Sequence, residues 1–151
     1  MRGSSLVEIV IVTGVMGLVL TAIVAGLTLS LKTNAEAEYR AQAVKRSQNA
    51  MEVFRRERTV RGWDTFLASF TDGATYCLAE LPEPSAEFVS GECEDGQSIV
   101  VSGIDFYREA TIDIDTTTPS DPQVRVQINT TWDSGGGERN VELVQVFRQF
   151  N

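Results

Sequence analysis

The chain has 151 residues, with 13 Lys/Arg against 21 Asp/Glu, no His and a formal net charge of −8. The lack of His removes the commonest general base and metal ligand, and two Cys, Cys77 and Cys93, are too few for a four-Cys zinc site. Residues 1–63 carry nine Lys/Arg and five Asp/Glu, whereas residues 64–151 carry four and sixteen, so direct binding of the acidic C-terminal part to nucleic-acid phosphates is not expected.

The first predicted element is an apolar helix. Ile9 to Leu31 contains no charged residue, and about 20 apolar residues suffice to cross the hydrocarbon core of a bilayer as a helix. Glu8 stands at the mouth of this run. A carboxylate so close to lipid is costly and calls for a partner or a function. A secretory signal peptide has an apolar core of roughly 7–15 residues and then a small-residue cleavage site; this run is longer and leads straight into a helical pattern. A plain membrane anchor fits the length but leaves Glu8 without a role. Gly14, Gly17, Thr21 and Ala25 favour close helix approach, although ordinary membrane helices share that composition.

Lys32 to Arg61 reads as a continuation of the same helix, with no Pro and no Gly before Gly62 and many good helix formers. Ala43/Val44, Ser47, Ala50/Met51 and Phe54 recur at helical spacing and form the face expected to hold the rest of the fold. Arg55, Arg56, Arg58 and Arg61 crowd the C-terminal end, where cations suit the helix dipole. They read either as a solvated helix end or as a contact to an acidic neighbouring subunit. Gly62 is a natural C-cap. By Lys/Arg count alone, Arg2 before the apolar run and Lys32, Arg40, Lys45 and Arg46 after it would keep the C-terminal part in the cytoplasm.

Trp63, Phe66, Leu67 and Phe70 have helical spacing and fit either a short helical turn or an extended crossing that plugs the space between helix and sheet. Asp72-Gly73 is a turn signal. Residues 74–81 form a candidate strand ended by Pro82 and Pro84, and an acidic loop follows to Gly96, with another short strand at 98–102. Cys77 and Cys93 bracket that loop. Outside the cell they would form a disulfide, closing a loop worth about 3 kcal/mol in the chain-entropy model; in a reducing compartment they would be free thiols. Glu87, Glu92, Glu94 and Asp95 lack the ligand pattern of a calcium loop and read as a solvated acidic loop.

The remainder is strand-like. Phe106, Arg108, Ala110, Ile112 and Ile114 alternate with polar positions, and Val124, Val126, Ile128, Thr130 and Trp132 do so again, one face dry and one wet. A loop with Pro119 and Pro122 joins the two, and Asp133 to Gly137 forms a hairpin connection. Val141 to Phe150 is a last strand whose two faces are both partly apolar, so its register is not legible. The fold class is α+β: a long N-terminal helix, half membranous and half amphipathic, packed on a three- or four-stranded antiparallel sheet. No nucleophile elbow or phosphate loop is present and, without His, no Ser-His-Asp or Cys-His site is possible. Neither enzyme activity nor a cofactor is expected.

Gly3-Ser4, then Glu8 as the fifth residue after that Gly, then an apolar helix, resembles the N-terminus of type IV pilins and type II secretion pseudopilins. Ala50 to Arg55 followed by Trp63 and Thr75-Tyr76-Cys77-Leu78, with Tyr107-Arg108 and Thr131-Trp132-Asp133 further on, is similar to minor members of that family. The resemblance implies a leader at residues 1–3, cleavage between Gly3 and Ser4 by a prepilin peptidase, N-methylation of Ser4, and Glu8 as the carboxylate that pairs with a neighbouring subunit's amine during assembly. It further implies a filament-core helix at 4–31, an amphipathic helix at 32–62 and a β-rich head at 63–151 with its loop at 72–103. The implied partners are the peptidase, other pilin subunits, a membrane assembly platform and, before assembly, lipid. The implied location is the plasma (inner) membrane in a single pass with the head exported, then an extracellular filament or a periplasmic or cell-wall pseudopilus. Three features depart from the family pattern: Ser4 stands where Phe is usual, the implied leader Met1-Arg2-Gly3 is very short, and the apolar helix lacks the frequent Pro that would break its hydrogen-bond ladder. The alternative is a membrane-anchored extracellular binding or adhesive module that does not assemble.

Overall fold

Helix α1 (Ser4–Arg61) runs without a break through both predicted helical segments in the computed structural model, which describes residues 4–84, 86–118 and 121–149. It stops where Gly62 takes φ 75°, a left-handed conformation that glycine adopts without a Cβ penalty. The short helix α2 (Trp63–Ala68) starts at once, its Phe66 N–H donating to Gly62 O at 3.0 Å. Of the two sequence options for this stretch, the helical turn is therefore the one adopted.

Residues 1–39 and 40–151 form two units. In the first, the large apolar side chains from Leu6 to Leu31 are all exposed. In the second, the last turns of α1 pack on an antiparallel sheet. Its strands are β1 (Thr75–Cys77), β2 (Ile99–Val101), β3 (Ile104–Asp115), β4 (Gln123–Asp133) and β5 (Glu138–Arg148). The order is β1-β3-β4-β5, with β2 also paired to β3. Three- or four-stranded was the sequence expectation; the fifth strand arises because β3 is 12 residues long and β1 and β2 only three each. One side of β3 thus takes both, at Thr111 to Glu109 and at Phe106 to Ile104.

The two alternating runs read from sequence are β3 and β4, joined in register from Phe106↔Trp132 to Asp115↔Gln123. Phe106, Arg108, Ala110, Ile112, Val124, Val126, Ile128, Thr130 and Trp132 are buried on the face toward α1. The register of β5, illegible in the sequence, pairs Phe147 with Val124 and Leu143 with Ile128. Phe147 is buried, while Val144 and Val146 stay 43 % and 41 % exposed on the other face. A strand with only one strand neighbour leaves both faces partly open, which explains its mixed pattern.

The predicted helix face is the one that packs: Ala43, Ser47, Ala50, Met51 and Phe54 are buried, with Val44 half-buried. Phe54, Phe66, Phe70, Tyr76, Phe88 and Phe147 make a chain of ring contacts with centroids 5.0–6.2 Å apart. The aromatic residues of α2 fill the gap between helix and sheet, as their spacing suggested. A polar tie within this core joins helix and sheet: the Ser47 and Thr130 hydroxyls hydrogen-bond at 2.9 Å, and Ser47 also donates to Ala43 O at 3.0 Å. Both buried hydroxyls are thereby satisfied.

Candidate functional site

The first candidate is the N-terminal helix surface. Helix α1 is described from Ser4, so Gly3 and the Arg2 before it lie outside the described residues. Glu8 is exposed, one turn into the helix and flanked by exposed Val7 and Ile9. It is the sole charged side chain from Ser4 to Leu31. The uncharged run of Ile9 to Leu31 would span about 35 Å at 1.5 Å per residue, a little more than the hydrocarbon core. Glu8 and Lys32 thus fall just outside its two ends. Within the run, Thr13, Thr21 and Thr28 donate their hydroxyls to the carbonyls of Ile9, Gly17 and Val24 at 2.8–2.9 Å. Such bonding to the preceding turn hides a hydroxyl from an apolar medium. The segment therefore presents hydrocarbon around its whole circumference and one carboxylate at its N-terminal mouth. By length and composition it can cross a membrane.

The second candidate is the disulfide-closed loop. Cys77, the last residue of β1, is bonded to Cys93, a sequence separation of 16. The sequence left disulfide and free thiols open; the structure has the disulfide. The Cys93 N–H donates to Glu109 Oε1 at 2.7 Å, and Gly91 N–H donates to Thr75 O at 2.8 Å, so the returning chain lies against β1 and β3. Candidate strand 74–81 shortens to Thr75–Cys77 because the chain turns away after Leu78, whose carbonyl is taken by the Arg108 guanidinium through both Nε and Nη2.

Two buried charged residues given no role in the sequence analysis, Glu57 and Arg108, hold this region. Glu57 is 1 % exposed and pairs with Arg61 Nε at 2.7 Å and Arg56 Nε at 3.3 Å. The same two arginines donate onward to the loop backbone, Arg56 to Pro82 O at 2.9 Å and Arg61 to Ala86 O. The crowded arginines at the end of α1 thus divide: Arg56 and Arg61 grip the loop, whereas Arg55 donates to Gln145 Oε1 on β5 and Arg58 to Arg148 O. Arg108, buried inside the sheet face, also donates to Arg46 O at 3.1 Å. Burial, then the nearby Arg46 charge, lowers its pKa to about 10, so it remains a cation at neutral pH. The signal for Glu57 was in the sequence, three residues beyond Phe54 on the packing face. Arg108 was likewise on the dry side of its alternation.

Among the described residues, no three His, Cys, Asp or Glu side chains are grouped so as to hold a metal ion. The acids Glu87, Glu92, Glu94 and Asp95 are all exposed on the loop.

The class of protein these features define is a single long helix, with an apolar half able to span a membrane and a packing half, carrying an antiparallel disulfide-closed α+β head. Comparison with known proteins gives no match: no family model fits the chain, and no curated protein or solved structure matches it.

Proposed function

We propose that the chain is a structural subunit of a type IV pilus-like filament, a minor pilin or pseudopilin. The observation that carries this reading is the pairing of Glu8 with the apolar helix: one exposed carboxylate at the mouth of 23 residues that bear no charge and are exposed on every side. A lipid-spanning anchor needs the hydrocarbon but not the acid. A helix that leaves lipid for a bundle of like helices needs both, since the acid can meet a neighbour's N-terminal amine in a low-dielectric setting where the pair is strong and an unpaired charge is penalised.

On this reading a prepilin peptidase cuts between Gly3 and Ser4, Ser4 becomes the methylated N-terminus, and the head is exported while the helix remains in the membrane. The disulfide supports export, because disulfides persist in oxidising compartments. The Lys/Arg count after the helix, at Lys32, Arg40, Lys45 and Arg46, points the other way; of these, Arg46 lies over the Phe106 ring and so has a folding role besides topology. The test is Glu8→Ala. The variant is expected to insert into membranes at the parent level and to be lost from sheared or sedimented filaments. Equal incorporation of variant and parent would refute the assembly role.

A further inference from the structure

The disulfide closes a loop over residues 78–92, and the chain holds this loop at several points besides the two sulfurs. On the outgoing side, Leu78 is fixed twice. Its N–H donates to Arg108 O at 2.8 Å, and its carbonyl takes the buried Arg108 guanidinium. In the middle, Arg56 donates to Pro82 O at 2.9 Å and Arg61 to Ala86 O, both steadied by the buried Glu57 carboxylate. Phe88 then enters the core, its ring centroid 5.3 Å from that of Phe54, 5.0 Å from Phe70 and 6.2 Å from Tyr76.

On the returning side, the Gly91 N–H donates to Thr75 O at 2.8 Å, beside a parallel bridge between Gly91 and Tyr76. Glu109 serves both cysteines. It faces Cys77 in the β1–β3 ladder, and its carboxylate accepts the Cys93 N–H at 2.7 Å. These contacts use backbone, aromatic rings and charged side chains, and none of them passes through a sulfur. A disulfide that closes an unconstrained loop works against the entropy of bringing its ends together. Here the contacts on both sides of Phe88 fix that separation. Joining the cysteines then orders little further chain, and the two thiols meet at the high effective concentration of a preset pair.

We propose that the loop is a strap that closes before it is locked. Arg56, Arg61 and Phe88 seat residues 78–92 in the dithiol chain, and the Cys77–Cys93 bond forms afterwards, in a head that is already folded. The bond is made by exchange with a disulfide-bearing oxidant. One cysteine thiolate attacks the oxidant's disulfide and displaces one thiolate; the other cysteine thiolate then attacks the mixed disulfide and displaces the second. Two electrons and two protons pass from the cysteines to the oxidant, whose disulfide becomes two thiols. The head thus folds without an oxidant, and the covalent lock is added wherever one is met. This inference concerns the head alone and is independent of the filament reading.

The test is amide hydrogen exchange, read by mass spectrometry, on the full chain in detergent micelles, oxidised and after reduction with a phosphine. In the reduced parent, peptides covering 86–93 are expected to exchange at least about 100-fold more slowly than an unstructured chain. In the reduced chain, Arg56→Gln should speed that exchange about tenfold, the scale for losing a hydrogen bond from a charged donor. Phe88→Ala should speed it further. Both should leave β3 and β4 protected. Arg55→Gln, whose partner is Gln145 on β5, should leave the loop unchanged. Bond formation on mixing with oxidised glutathione should slow in the same order. Exchange of 86–93 at the unstructured rate in the reduced parent, with or without loss of β3 and β4, would overturn the proposal, because the disulfide would then be what orders the loop. Equal loop protection in the Arg56→Gln, Phe88→Ala and Arg55→Gln chains would overturn it as well.

Discussion

The two units use the same residue types in opposite ways. Leu18 is 75 % exposed and Leu6 68 %, whereas Phe54, Phe66, Ile112 and Val126 are fully buried. In the head, core apolar side chains are covered by the chain itself, and the buried Ser47, Glu57 and Arg108 have partners: Ser47 with Thr130, Glu57 with two arginines, Arg108 with two carbonyls. In the apolar helix the large side chains stay exposed among the described residues, and the Thr13, Thr21 and Thr28 hydroxyls bond within their own helix. The head carries its own solvent-excluding core. By length and composition the helix can cross a membrane, and the proposed filament would offer it a bundle of like helices instead.

That contrast can be broken at either end. The largest effect is expected in the core: Phe66→Ala, which leaves a void among Phe70, Phe147 and Trp63, should cost the head about 3–5 kcal/mol. Thermal unfolding followed by circular dichroism should show it, with membrane insertion of the chain unchanged. Leu18→Lys should do the reverse. A charge near the middle of the apolar run costs about 2.5–3.5 kcal/mol of insertion, so carbonate extraction should release a larger share of the chain while the head's melting transition stays in place. Replacing both Cys77 and Cys93 by Ser should destabilise the head by about 3 kcal/mol or less. If that variant melted with the parent, the Arg56 and Arg61 grip would be sufficient to hold the loop.

Much of this organisation was legible in the sequence because periodicity reports burial. The helix face at Ala43, Ser47, Ala50 and Phe54 and the dry faces of β3 and β4 follow from spacings of three to four and of two. β5 was not legible, because an edge strand is half exposed on both faces and its pattern blurs. Nor was the end of β1, where Arg108 takes the Leu78 carbonyl, a contact 30 residues away in sequence, whereas the short strand read at 98–102 is β2. Glu57 shows the same limit: its position on the packing face was readable, but a buried glutamate is intelligible only once Arg56 and Arg61 are seen to neutralise it and pass the contact on to the loop. At the N-terminus the situation is reversed. Glu8 and the uncharged run were the clearest signal in the sequence, and the structure adds that both are exposed.

The most direct measurement is the intact mass of the protein recovered from its native membranes. Prepilin-type processing predicts a chain that begins at Ser4 and carries one added methyl group, with the mass of the oxidised Cys77–Cys93 pair under non-reducing conditions. A chain that still contains Gly3 and lacks the methyl group would contradict the assignment to a pilus-like filament.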